Sequence, residues 1–144
     1  MNAYMNNYHH NQIDTASREQ ILIMLYDGAI RFTRQAINAI ETGDQNGKTH
    51  GIQKAMAIIS EFRNTLDHNI GGEIAANLDA LYEFMISSLT QANLKNDLEP
   101  LQVVDNLLSD LRETWNEAIQ IARKEQRAQV QVAKSDHMPL RASL

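Results

Sequence analysis

Apolar residues recur along this chain at intervals of three and four, the period of an α-helix with one buried face. The pattern predicts four helices and no strand. The first starts at Ser17, with Gln20 three residues on in a capping-box pattern, and ends at Thr42 before Gly43. The second covers about 48–69. The breaker Ile70-Gly71-Gly72 separates it from a third at about 73–93. Asp97 is a good N-cap for the fourth, which takes Pro100 in its first turn and reaches 125 to 133.

Each segment carries one apolar stripe. The first offers Ile21, Leu25, Gly28, Phe32, Ala36 and Ala39; the second Ile52, Ala55, Ile59, Phe62 and Leu66. Ile74, Leu78, Leu81, Met85, Leu89 and Ala92 form the third stripe, and the fourth runs from Leu101, Val104 and Leu108 through Leu111 and Trp115 to Ala118 and Ala122. Short loops between consecutive helices imply antiparallel neighbours. The predicted fold is therefore all-α, an antiparallel up-down-up-down four-helix bundle with an irregular N-terminal leader. Residues 1–16 form the leader, 17–125 the bundle, and 126–144 a helix extension and disordered tail.

The first helix opens on Ile21-Leu22-Ile23-Met24-Leu25-Tyr26, which is apolar on every side. One bundle face needs only part of a helix circumference. Leu22, Tyr26, Ile37 and Ile40 widen the stripe on one flank, while Ile23 and Ile30 lie at the edge of the polar sector. Val103 and Leu107 make a second line on the fourth helix. This surplus either fills wide seams or forms a groove for amphipathic helices of another protein, which take anchors at helical spacing. Leu22, Ile23, Tyr26, Ile30, Val103 and Leu107 are the predicted groove residues. The leader also holds Tyr4, Tyr8 and Ile13, too apolar for an inert tail, and can cover such a groove.

Composition narrows the function. The chain has 144 residues, 43% hydrophobic, enough for one domain with a proper core. It has no cysteine, which removes disulfides and thiolate chemistry and fits a reducing cytoplasm. Its net charge of −5 argues against nucleic-acid binding. The basic cluster Arg123, Lys124 and Arg127 suits a helix end. No apolar run approaches a membrane span, and the N-terminus is not a signal peptide.

Catalytic chemistry is not visible. A di-iron bundle needs Glu-x-x-His, and none of His9, His10, His50, His68 or His137 has a glutamate three residues before it. There is no glycine-rich phosphate loop. The acidic residues Asp79, Glu83, Asp105, Asp110, Glu113 and Glu117 read as solvated faces. No enzyme activity, metal or cofactor is expected.

Several segments carry a family resemblance. Asn2-Ala3-Tyr4, Tyr8, Ile13, Thr15-Ala16-Ser17 and Met24-Leu25-Tyr26-Asp27-Gly28 resemble the opening of the flagellin export chaperones, the FliS family. Asn77-Leu78, Leu81-Tyr82, Phe84-Met85, Ala92-Asn93 and Lys95-Asn96-Asp97 resemble that family's third helix and following turn. Leu108, Leu111-Arg112, Thr114 and Trp115 resemble its closing segment. The resemblance covers about residues 2–122. One departure is Arg18-Glu19-Gln20, where the family commonly has Pro-Glu-Glu.

The resemblance implies a cytoplasmic four-helix chaperone without ATPase activity or cofactor. It would bind the disordered C-terminal segment of flagellin, prevent premature polymerisation and deliver the subunit to the flagellar export gate. Tyr4, Tyr8 and Ile13 would match the part of the family's leader that occupies the groove. An anti-sigma factor or a co-chaperone is kept as a secondary partner. The alternative is a structural bundle that homodimerises through the same apolar surface.

Overall fold

The computed structural model describes the backbone of residues 2–142 and the side chains of Asp14 and residues 17–135. Four helices follow in order: α1 (Asn2–Thr42), α2 (Gln45–Asn64), α3 (His68–Lys95) and α4 (Leu98–Ala142). The described residues contain no strand. The chain divides into two compact units, Met1–Arg112 and Glu113–Leu144, so the first unit holds α1 to α3 and the opening of α4.

Two helices run past their predicted ends. The leader predicted at 1–16 is helical from Asn2 and continues into α1. Ser17 is therefore inside a helix and caps nothing. Residues 2–16 contain neither proline nor glycine, so the covalent chain offers no stop. The tail predicted beyond 126 is likewise helical, through Ala142.

The turns follow from local chemistry. Gly43 ends α1 with φ +75. Its N–H donates to the Ile40 carbonyl and that of Asp44 to the Ala39 carbonyl, at 3.3 and 2.8 Å. These are the two bonds of a Schellman motif, which needs a left-handed residue and so favours glycine. The Asp44 carboxylate then accepts from the Gly47 N–H at 3.0 Å and starts α2. Asp67 caps α3 by accepting from the N–H groups of Asn69 and Ile70. The break between the second and third helices falls at 65–67, before the predicted Ile70-Gly71-Gly72, because Asp67 caps α3 there; the predicted breaker is instead a kink inside α3, where Gly72 has φ 51 and ψ −121. Asp97 caps α4 as expected, accepting from the Glu99 N–H at 3.2 Å.

Within the first unit the helices run antiparallel. A Cβ added at Gly51 of α2 would lie 2.6 Å from the Phe32 carbonyl oxygen of α1, and one at Gly28 would lie 3.4 Å from Ile58 Cδ1. Residue numbers thus rise on one helix as they fall on the other. Arg34–Asp105 and Asp27–Arg112 relate α1 to α4 in the same sense, at 3.2 and 2.5 Å.

Between α2 and α3, Arg63 bonds Asp79 at 2.7 Å, and this hydrogen bond, helped by the cation's charge, holds the Asp79 carboxyl below its ordinary value. At the other end, the buried Lys48 donates from Nζ to the Asn93 carbonyl at 2.9 Å and to the Asn96 side chain. That places a cation on the carbonyl-rich end of α3, where the helix dipole favours one.

The core of this unit is apolar with a few satisfied polar tips. Ile52, Ala55, Ile59 and Phe62 of α2 and Leu101, Val104 and Leu108 of α4 are buried, as their stripes predict. Leu66, however, lies beyond the end of α2 and is half-buried, as are Leu111 and Trp115, and Ala118 and Ala122 are exposed. Met85, Leu89 and Ala92 of α3 are buried too, but Ile74 is 70% exposed beside the Gly72 kink. Thr33 is fully buried, and its hydroxyl donates to the Ala29 carbonyl at 2.8 Å. At the centre, Tyr26 stacks on Phe62 with centroids 4.4 Å apart. The hydroxyls of Tyr26 and Tyr82 hydrogen-bond at 2.6 Å.

Burial pushes the Tyr82 phenol above its ordinary value, opposed by the bond to Tyr26. The sign of the consequence follows from proton linkage. The folded state holds the Tyr82 proton more tightly than the unfolded state does. The stabilisation is complete below the ordinary tyrosine value near pH 10 and is lost as pH rises through the raised folded value. Absorbance titration of the four tyrosines should show one ionising last, together with loss of helical circular dichroism. Simple ionisation of all four without unfolding would contradict this.

Candidate partner-binding groove

Residues Ile21 to Phe32 build the site. At about 100° per residue, Ile21, Met24, Leu25, Gly28 and Phe32 share one face of α1 over three turns. With Arg31 and with Ile58 of α2 they line a groove of about 270 Å³. Gly28 has no side chain and lies just over Ile58, which leaves a recess in the middle. Ile21 is 55% and Met24 63% exposed, so the groove is open at its upper end. The Arg31 guanidinium carbon lies 5.1 Å from the centre of the Phe32 ring, and the His50 ring meets Phe32 edge-on at 6.1 Å.

This face is the one whose stripe predicts core, and the structure corrects it. Gly28, Ala36 and Ala39 of that stripe are buried as expected, but Ile21 is exposed and Leu25 and Phe32 only half-buried, and the rest of the α1 core is Tyr26, Ala29, Ile30 and Thr33. Over its first turns the buried face is rotated by nearly one residue step, roughly 100°, from the predicted stripe. Thr33 reads as polar, yet its hydroxyl is satisfied within the helix. Tyr26 reads as amphipathic, yet its hydroxyl is satisfied by Tyr82. Counting large apolar side chains selects Ile21, Leu25 and Phe32, which line the groove rather than fill the core.

The predicted groove residues are not brought together. Tyr26 has no exposed surface, and Ile30 is 8% exposed; both are core, because their side chains point into the bundle. Leu22, Ile23 and Leu107 are half-buried, and Val103 is 36% exposed. On α4, Leu101, Val104 and Leu108 face the core. Asp105 and Arg112, which bond α1, lie on one flank of that stripe, and Val103 and Leu107 lie on the other. Ile23 and Ile30 share the flank of α1 that carries Asp27 and Arg34. The two halves of the expected groove therefore belong to different seams. Tyr4, Tyr8 and Ile13, the expected cover, have side chains outside the described residues.

Carboxylates in the first unit serve structure: Asp27, Asp79 and Asp105 pair with arginines across helices. No helix among the described residues is long and apolar enough to cross a membrane.

The first unit is thus an all-α bundle with an open apolar groove along its first helix. Residues 1–122 match the family described as flagellar protein FliS. The flagellar secretion chaperone FliS of Bacillus subtilis is 40% identical over 118 residues, covering 82% of this chain and 87% of that protein. The protein of the same name from Salmonella typhimurium is 41% identical over 104 residues, 72% of this chain and 77% of its own length. That of Campylobacter jejuni is 36% identical over 116 residues, 81% and 91% respectively. The chain belongs to the FliS family, whose members are flagellar secretion chaperones and not enzymes.

Proposed function

We propose that this protein binds the disordered C-terminal segment of newly made flagellin in the cytoplasm, keeps it from polymerising early, and delivers it to the flagellar export gate. The observation that carries the reading is the Ile21–Ile58 groove, apolar over three turns of α1 in a chain of this family. A segment that folds on binding loses about 2–5 kcal/mol to ordering, so its chaperone must offer broad apolar contact. At about 25 cal/mol per Å² of apolar area, a groove of about 270 Å³ offsets only part of that cost, so the segment also contacts apolar surface beyond it. The mechanism is stoichiometric: the segment's apolar face is covered, and no bond is made or broken.

Calorimetric titration with a flagellin C-terminal segment tests this. The wild-type protein should bind it, and Met24→Asp should weaken binding at least tenfold, about 1.4 kcal/mol. Met24 is mostly exposed, so helicity and melting temperature should hold. Equal binding by Met24→Asp would place the site elsewhere. The other reading is homodimerisation through the same face. A stable dimer by light scattering that ignores the segment would favour that reading and sink the chaperone one.

A further inference from the structure

We infer that the groove selects a partner helix carrying an acidic residue one turn from its apolar anchor, and that Arg31 reads that acid. The inference rests on the chaperone reading above and specifies the partner's chemistry at the same groove. Its basis is the different use of the arginines. Arg34, Arg63 and Arg112 each pair with a carboxylate on another helix. Arg31 has no carboxylate partner among the described residues. It is exposed, and its contact is with the face of Phe32 in the groove wall.

That contact gives Arg31 its role. Stacking on an aromatic face orients a guanidinium while leaving its edge N–H groups free. Those groups match a carboxylate in a two-point bond. The molecule's net charge of −5 opposes an acidic segment elsewhere on the surface, so an acid on the partner is accommodated only beside a local cation such as Arg31. Arg31 is thus a local cation at one end of an apolar recess on an acidic protein.

Register follows from spacing. Gly28 and Ile58 line the groove with Arg31, which is three residues, one turn, from Gly28. An apolar side chain seated on the exposed Ile21 and Met24 side of this lining puts a further turn of the partner beside Arg31. Residues three or four apart share a helix face. An acid at that spacing meets the guanidinium, and a lysine there meets a like charge. The pair sits at the rim, so it contributes more to register and discrimination than to affinity.

The test is a charge-reversal cycle on the whole chain with the flagellin C-terminal segment as probe. Arg31→Gln should weaken binding a fewfold and Arg31→Glu about tenfold, with both effects shrinking at high salt. Arg31→Lys should fall between wild type and Arg31→Gln, since it keeps the charge and loses the planar fork. Each acidic residue of the segment is then replaced by lysine in turn. One of these segments should bind Arg31→Glu better than wild-type protein, and its acid should lie three or four residues from a large apolar residue. Wild-type affinity in Arg31→Glu, or no segment that prefers the reversed protein, overturns the inference and leaves the chaperone reading standing. No binding by wild-type protein overturns both.

Discussion

Replacing Tyr26 with aspartate is expected to unfold the protein, where a groove residue would only lose its partner. Tyr26 is fully buried, stacked on Phe62 and bonded to Tyr82. Removing a large buried ring costs about 3–5 kcal/mol. Burying an unpaired carboxylate adds several more. Domains of this size are stable by about 5–15 kcal/mol in total, so the sum reaches the whole margin. Urea or thermal melts by circular dichroism check the result. Tyr26→Phe is the graded companion: it keeps the stack but leaves the Tyr82 hydroxyl short of a buried partner, for about 1–3 kcal/mol. A folded Tyr26→Asp that had lost only binding would return this residue to the groove.

The same tyrosine shows where pattern reading succeeds and where it stops. The α2 stripe is legible because its apolar residues have no polar rivals: Ile52, Ala55, Ile59 and Phe62 leave one candidate face, and all are buried. Caps are legible because their chemistry is local. Asp97 precedes its helix and bonds the Glu99 N–H whatever the rest of the chain does.

The start of α1 is different. It offers apolar residues all round, and the choice of face depends on partners far along the chain. Tyr26 becomes core only when Phe62 and Tyr82 arrive from α2 and α3. Thr33 becomes core only because its own helix satisfies its hydroxyl. A periodic count cannot weigh either event. It finds surplus apolar surface at Ile21 to Tyr26 but assigns it to Leu22, Ile23 and Tyr26, which the fold buries or half-buries. The exposed members are Ile21 and Met24, on the face that size alone assigns to the interior. The kink at Gly72 has a similar lesson. The breaker is visible in Gly71-Gly72, but the exposure of Ile74 beyond it depends on how the chain leaves the turn.

Packing between α1 and α2 makes the second large prediction, that alanine has opposite effects at two helical glycines. On helix propensity alone, alanine should stabilise both sites by about 1 kcal/mol. At Gly51 the new Cβ would lie 2.6 Å from the Phe32 carbonyl oxygen and 3.0 Å from the Ala36 nitrogen. Both are backbone atoms of α1, so relief requires moving a helix. Overpacking of this kind costs about 1–3 kcal/mol and outweighs the propensity gain. Gly51→Ala should therefore lower stability, and Gly51→Val should lower it further because a branched side chain cannot turn away. At Gly28 the nearest atom is Ile58 Cδ1 at 3.4 Å, the far end of a flexible side chain. Gly28→Ala should be neutral or stabilising. Denaturant melts of the three variants separate the effects, and a stabilising Gly51→Ala would mean that α1 and α2 are further apart than this packing requires. The contrast also bears on the groove. At Gly51 the new Cβ would press on α1 backbone, whereas at Gly28 it would meet only the movable end of Ile58, a residue that lines the groove, so the same substitution is absorbed there by a side chain and not by a helix.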